Sequence, residues 1–311
     1  MNSIEKALLK QQNKDVAKEA PNVVQPEVTK SDNSIERAEQ LAVKNKVDKT
    51  VTPDAPNAPI TPLSQGDAAY IEIDLEKLNA KGFVSSTSSR QLINEEYRAI
   101  KRKIIDNAFG PLSKSLTNSN IIMVTSSRPG EGKTFTAINL ALSIALEQDK
   151  TVLLVDADVL RPNVMRTLEL KNEVGLMEFL LGEKNNLSEI LCKTNVPNLR
   201  IISAGKSHHL STELLASEKM YEAVEELANR YSDRIIIVDT PPLLGINETA
   251  ILANLAGQAI VVTEENKTKL SDIQKAVSQL NPEMAIGFVV NKSQDANSDG
   301  TGYGYYYAGA R

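Results

Sequence analysis

The chain lacks several kinds of residue, and each absence limits what the protein can be. Its 311 residues include no tryptophan and a single cysteine, Cys192. One cysteine cannot form an internal disulfide, which is consistent with a reducing compartment. No apolar run approaches the ~20 residues of a membrane-crossing helix, and no signal-peptide core opens the chain. We therefore expect a cytoplasmic protein that reaches the inner face of the membrane only through a partner.

An excess of basic charge is also missing. The formal net charge is -5, so no global cationic field favours nucleic acid, and we expect no nucleic-acid partner. His208 and His209 are the only histidines, and no cysteine lies near them in the sequence. Such a pair is a poor candidate for a metal site.

Aromatic residues are absent from residues 1–69, which hold six of the 13 prolines. A segment of this composition cannot bury enough apolar area to offset its ordering entropy. We predict a disordered N-terminal arm with short helices near residues 4–9 and 34–43. These helices could dock a partner, or the whole arm could be a solvated tether.

Beyond the arm, short apolar runs alternate with amphipathic stretches. Residues 70–75 read as an edge strand or extended arm. The remaining strands are predicted at 121–125, 151–155, 199–203, 235–239, 258–263 and 285–290. Helices are predicted at 88–107, 132–147, 174–182, 211–229, 247–256 and 269–280. This alternation predicts an α/β domain over residues 70–292, with a mostly parallel sheet, helices on both faces and ligands at the carboxyl ends of the strands.

A glycine-rich turn joins the first long strand to its helix, in the sequence SSRPGEGKT. A strand, a glycine turn and a helix start form the arrangement that cradles nucleotide phosphates. Lys133 would face the β- and γ-phosphates, and the hydroxyl of Thr134 suits a magnesium ligand. We therefore predict ATP and Mg²⁺ as ligands. The predicted ATP-binding residues are Arg128, Pro129, Gly130, Glu131, Gly132, Lys133, Thr134, Phe135 and Asn291.

Three acids follow two other predicted strands, in the runs TVLLVDAD and RIIIVDTPP. Carboxyl ends of parallel strands share one edge of a sheet, so these acids should lie beside the glycine turn. Asp158 and Asp239 are predicted to hold the metal together with Thr134. Asp156 is the candidate base that takes the proton of a phenol acceptor, whose pKa is near 10. Arg161 would stabilise charge on the γ-phosphate.

Half of the eight tyrosines lie in the last nine residues, in the run GYGYYYAGAR. A glycine-rich segment cannot bury four aromatic rings in a core of its own, so residues 293–311 are predicted to form a flexible tail. A phosphate loop combined with such a tail suggests a kinase that phosphorylates its own tyrosines. The predicted acceptors are Tyr303, Tyr305, Tyr306 and Tyr307.

The three motifs above, together with EEYRAIK, AGKSHHLSTELLAS, GFVVNK and the tail, resemble the bacterial tyrosine kinases of the CpsD/CapB-like group. Within that group, the chain looks most like the exosortase-associated tyrosine autokinases of exopolysaccharide loci. The resemblance implies a P-loop fold of the MinD/ParA branch and Mg²⁺–ATP-dependent autophosphorylation of the tail in trans. It also implies a transmembrane activator of the chain-length-determinant type and a protein-tyrosine phosphatase as partners.

The same resemblance implies a ring of subunits held together through an E-x-x-R-x-x-R helix. This motif corresponds to Glu95, Arg98 and Lys101, with lysine in place of the last arginine. Lysine does not reproduce the bidentate pairing of arginine, although the adjacent Arg102 could substitute. Asn291 resembles an adenine-contacting residue, but a turn at the end of a strand explains it equally well.

Two other functions fit parts of the sequence. A MinD/ParA-like positioning ATPase would need a basic surface or a terminal amphipathic helix. A nucleotide-bound scaffold that regulates polysaccharide assembly would need only the phosphate loop. Arg128 stands where positioning ATPases carry a signature lysine, which favours the kinase.

Overall fold

The computed structural model of the protein describes residues 69–85, 92–171 and 174–293, apart from the side chain of residue 247. Nearly all of the predicted N-terminal arm, with its two short helices, lies outside these ranges. The tail beyond residue 293, which carries the four predicted acceptor tyrosines, also lies outside them.

Strands and helices alternate along most of the described chain. The strands are β1 (Tyr70–Ile71), β2 (Ile121–Ser126), β3 (Thr151–Asp156), β4 (Leu191–Thr194), β5 (Leu199–Ile202), β6 (Arg234–Asp239), β7 (Gln258–Glu264) and β8 (Ala285–Asn291). The α-helices are α1 (Leu75–Ala80), α2 (Leu92–Phe109), α3 (Lys133–Ala145), α4 (Val164–Thr167), α5 (Leu176–Leu180), α6 (Ser211–Leu215), α7 (Glu218–Arg230), α8 (Asn247–Ala253) and α9 (Leu270–Val277). Two 3₁₀ turns cover Pro111–Ser115 and Leu187–Glu189.

The strands form one eight-stranded sheet in the order β1-β4-β5-β3-β6-β2-β7-β8. Every neighbouring pair is parallel except β4–β5. Parallel strands need crossover connections, and helices supply most of them. The carboxyl ends of β2, β3 and β6 therefore meet at one edge of the sheet, as the predicted site requires.

Consecutive residues of the central strands belong to two different hydrophobic clusters. In β2, Ile121 and Met123 join one cluster, whereas Ile122 and Val124 join the other. Successive strand residues point to opposite faces, so both faces of the sheet are covered. Helix α3 packs into one cluster and α7 into the other. The predicted α/β fold with helices on both faces is confirmed.

The six strands predicted from residue 121 onward are confirmed to within one residue at each end. Two helices and one strand escaped prediction, namely α1, α4 and the short antiparallel β4. The single helix predicted over 211–229 is two helices, because the Ser217 side chain accepts the amide of Met220 and caps a new helix. The strand predicted over 70–75 ends at Ile71, and Asp74 caps α1 instead. None of the helices in the described ranges is long and apolar enough to cross a bilayer.

Candidate active site

The glycine turn follows β2 directly, and α3 begins at Lys133. Gly130 and Gly132 both adopt the left-handed backbone region, with φ of 86° and 101°. A Cβ on Gly132 would lie 1.9 Å from Nδ2 of Asn291, so only glycine fits there. The turn therefore ends at a helix N-terminus, where backbone N–H groups form a site for phosphate.

The outer side of this turn is held by polar contacts. The side chain of Glu131 is buried, and its carboxylate accepts the amide of Arg128 at 2.9 Å and the hydroxyl of Thr268 at 2.5 Å. Lys292 Nζ lies 2.8 Å from the carbonyl oxygen of Gly130, and Asn291 Nδ2 lies 2.9 Å from that of Glu131. The loop is therefore braced by residues from the β7–α9 connection and from the end of β8.

Arg128 points toward α9. Its guanidinium donates to both carboxylate oxygens of Asp272, at 2.7 and 3.2 Å. This pairing holds the pKa of Asp272 below its usual value. A contact between Arg128 and a phosphate, as predicted, would require this ion pair to open.

Asp156 and Asp239 occupy paired positions at the ends of β3 and β6, and both are fully buried. The Thr134 hydroxyl donates to Oδ2 of Asp239 at 2.7 Å. The other oxygen of Asp239 has no hydrogen-bond partner among the described residues. Burial raises the pKa of Asp239 to about 8, the positive charge of Lys133 opposes this rise, and the charge of Asp156 adds to it.

The carboxylate of Asp156 is occupied by backbone amides. Its Oδ2 accepts from Asn163 at 3.0 Å and from Val164 at 2.9 Å, and its Oδ1 accepts from Asp158 at 3.2 Å. Burial raises the pKa of Asp156 to about 6, although these amide bonds act in the opposite direction. Asp156 therefore shapes the loop that carries Asp158 and Arg161.

Lys133 Nζ forms an ion pair with Oδ2 of Asp158 at 2.7 Å, and the two side chains are only 14% and 5% exposed. Oδ1 of Asp158 accepts the backbone amide of Arg161 at 3.1 Å, while Arg161 as a residue is exposed. The structure thus brings Lys133, Thr134, Asp158 and Asp239 together beside the glycine turn.

These residues fit a magnesium ion. Oδ1 of Asp239 is a buried oxygen without a partner, and the Thr134 hydroxyl lies against the same carboxylate. Within the described ranges, no group of three His, Cys, Asp or Glu side chains forms an all-protein metal site. Mg²⁺ usually takes only one or two carboxylates and completes its shell with water and phosphate oxygens.

The ring of Phe135 packs on Phe83, with the ring centroids 4.8 Å apart, and it contacts the hydrophobic cluster on that face. Any contact between Phe135 and a nucleotide would come from its backbone rather than from its ring.

One predicted interface residue does not fit that role. Lys101 is buried, and its Nζ donates to the carbonyl oxygen of Ser143 at 2.9 Å and pairs with Glu147 at 2.6 Å. Lys101 therefore joins α2 to the end of α3 within one subunit. Glu95 and Arg98 pair with each other at 2.7 Å on the exposed side of α2, and Arg102 is exposed. Arg102, rather than Lys101, is available to a neighbouring subunit.

Three residues of this region were not predicted as site residues: Thr268, Asp272 and Lys292. Thr268 and Asp272 lie in a polar stretch that carries no motif. Lys292 is the last residue of the GFVVNK run and directly follows Asn291 at the end of a strand, and that position was the signal available for it.

The fold and the braced glycine turn define a P-loop nucleotide-binding protein. Residues 119–285 match the family model described as "AAA domain". The chain is 33% identical over 229 residues to tyrosine-protein kinase YwqD of Bacillus subtilis, covering 73% of this chain and 91% of that protein. It is 39% identical over 175 residues to tyrosine-protein kinase CpsD of Streptococcus pneumoniae, covering 55% of this chain and 75% of that protein.

Solved kinase domains share the fold. The VpsO kinase domain is 28% identical with a TM-score of 0.52, covering 64% of this chain and 97% of that one. The kinase domain of Escherichia coli tyrosine kinase ETK is 25% identical with a TM-score of 0.56, covering 76% and 95%. The chain belongs to the bacterial tyrosine-protein kinases, and the resemblance expected from its motifs is confirmed.

The relatives differ in length. The match covers 91% of YwqD but only 25% of the putative tyrosine-protein kinase EpsB of Ralstonia solanacearum and 33% of tyrosine-protein kinase ptk of Acinetobacter johnsonii. The chain therefore spans only a quarter to a third of the length of these two relatives.

Proposed function

We propose that this protein is a Mg²⁺- and ATP-dependent autokinase whose acceptors are the tyrosines of its own C-terminal tail, Tyr303 and Tyr305–Tyr307. The observation that carries the proposal is the convergence of Lys133, Thr134, Asp158 and Asp239 on the braced turn. The tail adds a dense set of phenols to a protein of a tyrosine-kinase family.

Binding would rest on the backbone of the turn and on one cation. The N–H groups around Gly130 and Gly132 receive the β-phosphate, and Lys133 neutralises charge on the β- and γ-phosphates. The ion pair between Lys133 and Asp158 supports this assignment, because it keeps the lysine beside the glycine turn. Thr134 and Asp239, with Asp158, would hold Mg²⁺, which when bound neutralises phosphate charge.

Asp156 is the proposed base. A carboxylate with a pKa near 6 accepts a proton more readily than an ordinary aspartate and is still ionised at neutral pH. Its Oδ1 accepts only the amide of Asp158, at 3.2 Å, which leaves capacity for a phenol proton. Arg161 would stabilise charge on the γ-phosphoryl group as it is transferred.

Transfer between subunits of a ring is proposed, with Glu95, Arg98 and Arg102 at the contact. Each phosphorylation adds about -1.5 to -2 charges. Phosphotyrosines crowded in one tail would repel one another and the acids of the site. A fully phosphorylated tail should therefore leave the neighbouring site and loosen the ring.

The biological role proposed is regulation of exopolysaccharide synthesis or export at the inner face of the membrane. There the kinase would act with a transmembrane chain-length-determinant-type activator, opposed by a protein-tyrosine phosphatase. Membership of the exosortase-associated branch stays a prediction that rests on sequence resemblance.

The first test is phosphotyrosine formation by the purified protein with ATP and Mg²⁺. Lys133→Met should abolish the signal, because it removes the phosphate-binding cation while keeping the length of the side chain. Mass spectrometry should locate new phosphates in the tail, and a variant with all four tail tyrosines replaced by phenylalanine should lack them. A folded, nucleotide-binding wild type that gains no phosphotyrosine would contradict the proposal.

A further inference from the structure

We propose that Asn291 and Lys292, the last residue of β8 and the one after it, are positioning residues that orient two successive peptide units of the phosphate loop. The inference rests on the proposed nucleotide site but not on the identity of the phosphoryl acceptor. The role proposed for Asn291 is separate from contact with adenine, and Lys292 receives a role for the first time.

The first peptide unit joins Gly130 to Glu131. Lys292 Nζ donates to its carbonyl oxygen at 2.8 Å. In a planar trans peptide the C=O and the following N–H point in opposite directions. Holding the carbonyl on the outer side of the loop therefore turns the N–H of Glu131 toward the inner side, where an anion would lie.

The second peptide unit joins Glu131 to Gly132. Asn291 Nδ2 donates to its carbonyl oxygen at 2.9 Å, which directs the N–H of Gly132 inward by the same geometry. The Asn291 amide group occupies the volume where a Cβ of residue 132 would be, 1.9 Å from that position. The glycine and the asparagine thus fit each other.

Such bracing matters because the loop contains two glycines with positive φ. Glycine loses more conformational freedom on ordering than any other residue, so an unbraced loop would be ordered at the expense of ligand affinity. Two hydrogen bonds to carbonyl oxygens fix the donors before the ligand arrives.

Lys292 is itself held in place. Its backbone adopts φ of 58°, which is uncommon for a residue other than glycine, and its Nζ also contacts Glu264 at 3.0 Å. Asn291 pairs with Glu264 in the parallel register of β7 and β8. The sheet therefore positions the two donors, and the donors position the loop.

The chain offers a matched control in Lys267. Its Nζ contacts the same Glu264, at 3.2 Å from each carboxylate oxygen, and no contact of Lys267 with the loop is found among the described residues. Lys292→Met and Lys267→Met remove the same charge from the same carboxylate, but only the first removes the bond to Gly130. Lys292→Arg keeps a donor of comparable reach.

Calorimetric titration with Mg²⁺–ADP measures the effect without kinase activity. Lys292→Met should weaken binding about three- to tenfold, which corresponds to one hydrogen bond. Lys267→Met should bind within about twofold of the wild type, and Lys292→Arg should recover most of the loss. Equal effects of the two methionine variants would overturn the role of Lys292, because the loss of affinity would then come from the missing positive charge and not from the bond to Gly130.

Asn291→Ala is tested with inorganic tripolyphosphate as well as ADP. A residue that orients the phosphate loop should weaken both ligands by a similar factor. Weakening of ADP alone would mean that Asn291 contacts adenine and would overturn its role as a brace. If the wild type bound neither ligand, the proposed nucleotide site itself would fail. If Lys292→Met and Asn291→Ala bound both ligands as tightly as the wild type, the positioning role of these two residues would be wrong, but the nucleotide site would stand.

Discussion

Asp156 and Asp239 have the same place in the sheet but very different surroundings. Each ends a central strand, the two are paired in register, and both are fully buried. Asp156 accepts three backbone amides, whereas Asp239 accepts only the Thr134 hydroxyl and keeps one oxygen without a described partner. The comparison shows that a strand-end aspartate can serve either the loop that follows it or a ligand.

The difference follows from what comes next in the chain. After β3, the chain curls back so that the amides of Asn163 and Val164 reach Asp156. After β6, prolines at positions 241 and 242 follow Asp239 and Thr240, and proline has no N–H to donate. The carboxylate of Asp239 therefore stays available, at the cost of an unfavourable burial that raises its pKa.

The largest expected effect is on Mg²⁺-dependent binding of ADP, which should depend on Asp239 far more than on Asp156. Asp239→Asn should weaken Mg²⁺-dependent binding of ADP at least tenfold and lower the rate of autophosphorylation at least about a hundredfold, since metal and charge stabilisation act together. Asp156→Asn should leave the affinity for Mg²⁺–ADP within about threefold, even if it removes the base. Titration calorimetry and a phosphotyrosine time course measure both.

If Asp156→Asn lost as much affinity for Mg²⁺–ADP as Asp239→Asn, the different roles assigned to the two acids would be contradicted. The two carboxylates would then act on the ligand as one unit. A suitable folding control is the circular dichroism spectrum of each variant without nucleotide.

A smaller effect concerns stability. Asp156→Asn should lower the free energy of unfolding by about 1–3 kcal/mol, because an amide offers one acceptor oxygen and turns its own N–H₂ toward a backbone donor. Asp239→Asn should not destabilise the nucleotide-free protein at pH 8, since it removes a buried carboxylate that accepts only the Thr134 hydroxyl among the described residues. Urea unfolding of both variants tests the contrast, and equal destabilisation would contradict it.

The last contrast is the dependence of stability on pH. Burial raises the pKa of Asp239 to about 8, well above the roughly 3.9 of an unfolded aspartate. The folded state therefore binds more protons between these two values, and the stability of the magnesium-free protein should fall as pH rises through that window. Asp239→Asn should flatten this fall above pH 6, where Asp156 contributes less. Melting temperatures from pH 6 to 8.5 measure it, and parallel curves for the two proteins would refute the assignment.

Some elements of the fold could be predicted from the sequence and others could not, and particular residues show why. The strand ends at 156 and 239 were predictable because buried parallel strands are short apolar runs, and a following acid marks their carboxyl end. Residues 211–229 were predicted as a single helix because the break at Ser217 depends on a side-chain cap. The spacing of apolar residues alone does not reveal such a cap. Strand β4 was missed because its four residues end in the polar Lys193 and Thr194, so they form no apolar run that distinguishes a strand from a loop.

Lys101 shows how a sequence motif can predict an interface residue that the structure buries within the subunit. Its spacing from Glu95 and Arg98 matches an interface motif, but a helix position four residues from a buried Tyr97 also faces the core. The contacts with Ser143 and Glu147 come from α3 and from the turn that follows it, more than 40 residues away in sequence. A local motif cannot report such a partner.

The sequence by itself determined the α/β class, the glycine turn and the three strand-end acids, because these depend on local backbone preferences and on the apolar period of each segment. The tertiary structure alone decided which acid accepts three backbone amides, which lysine is buried, and which distant side chains hold the turn in shape. Those outcomes depend on hydrogen bonds between segments far apart in the chain, whose partners meet only after the sheet has set their register.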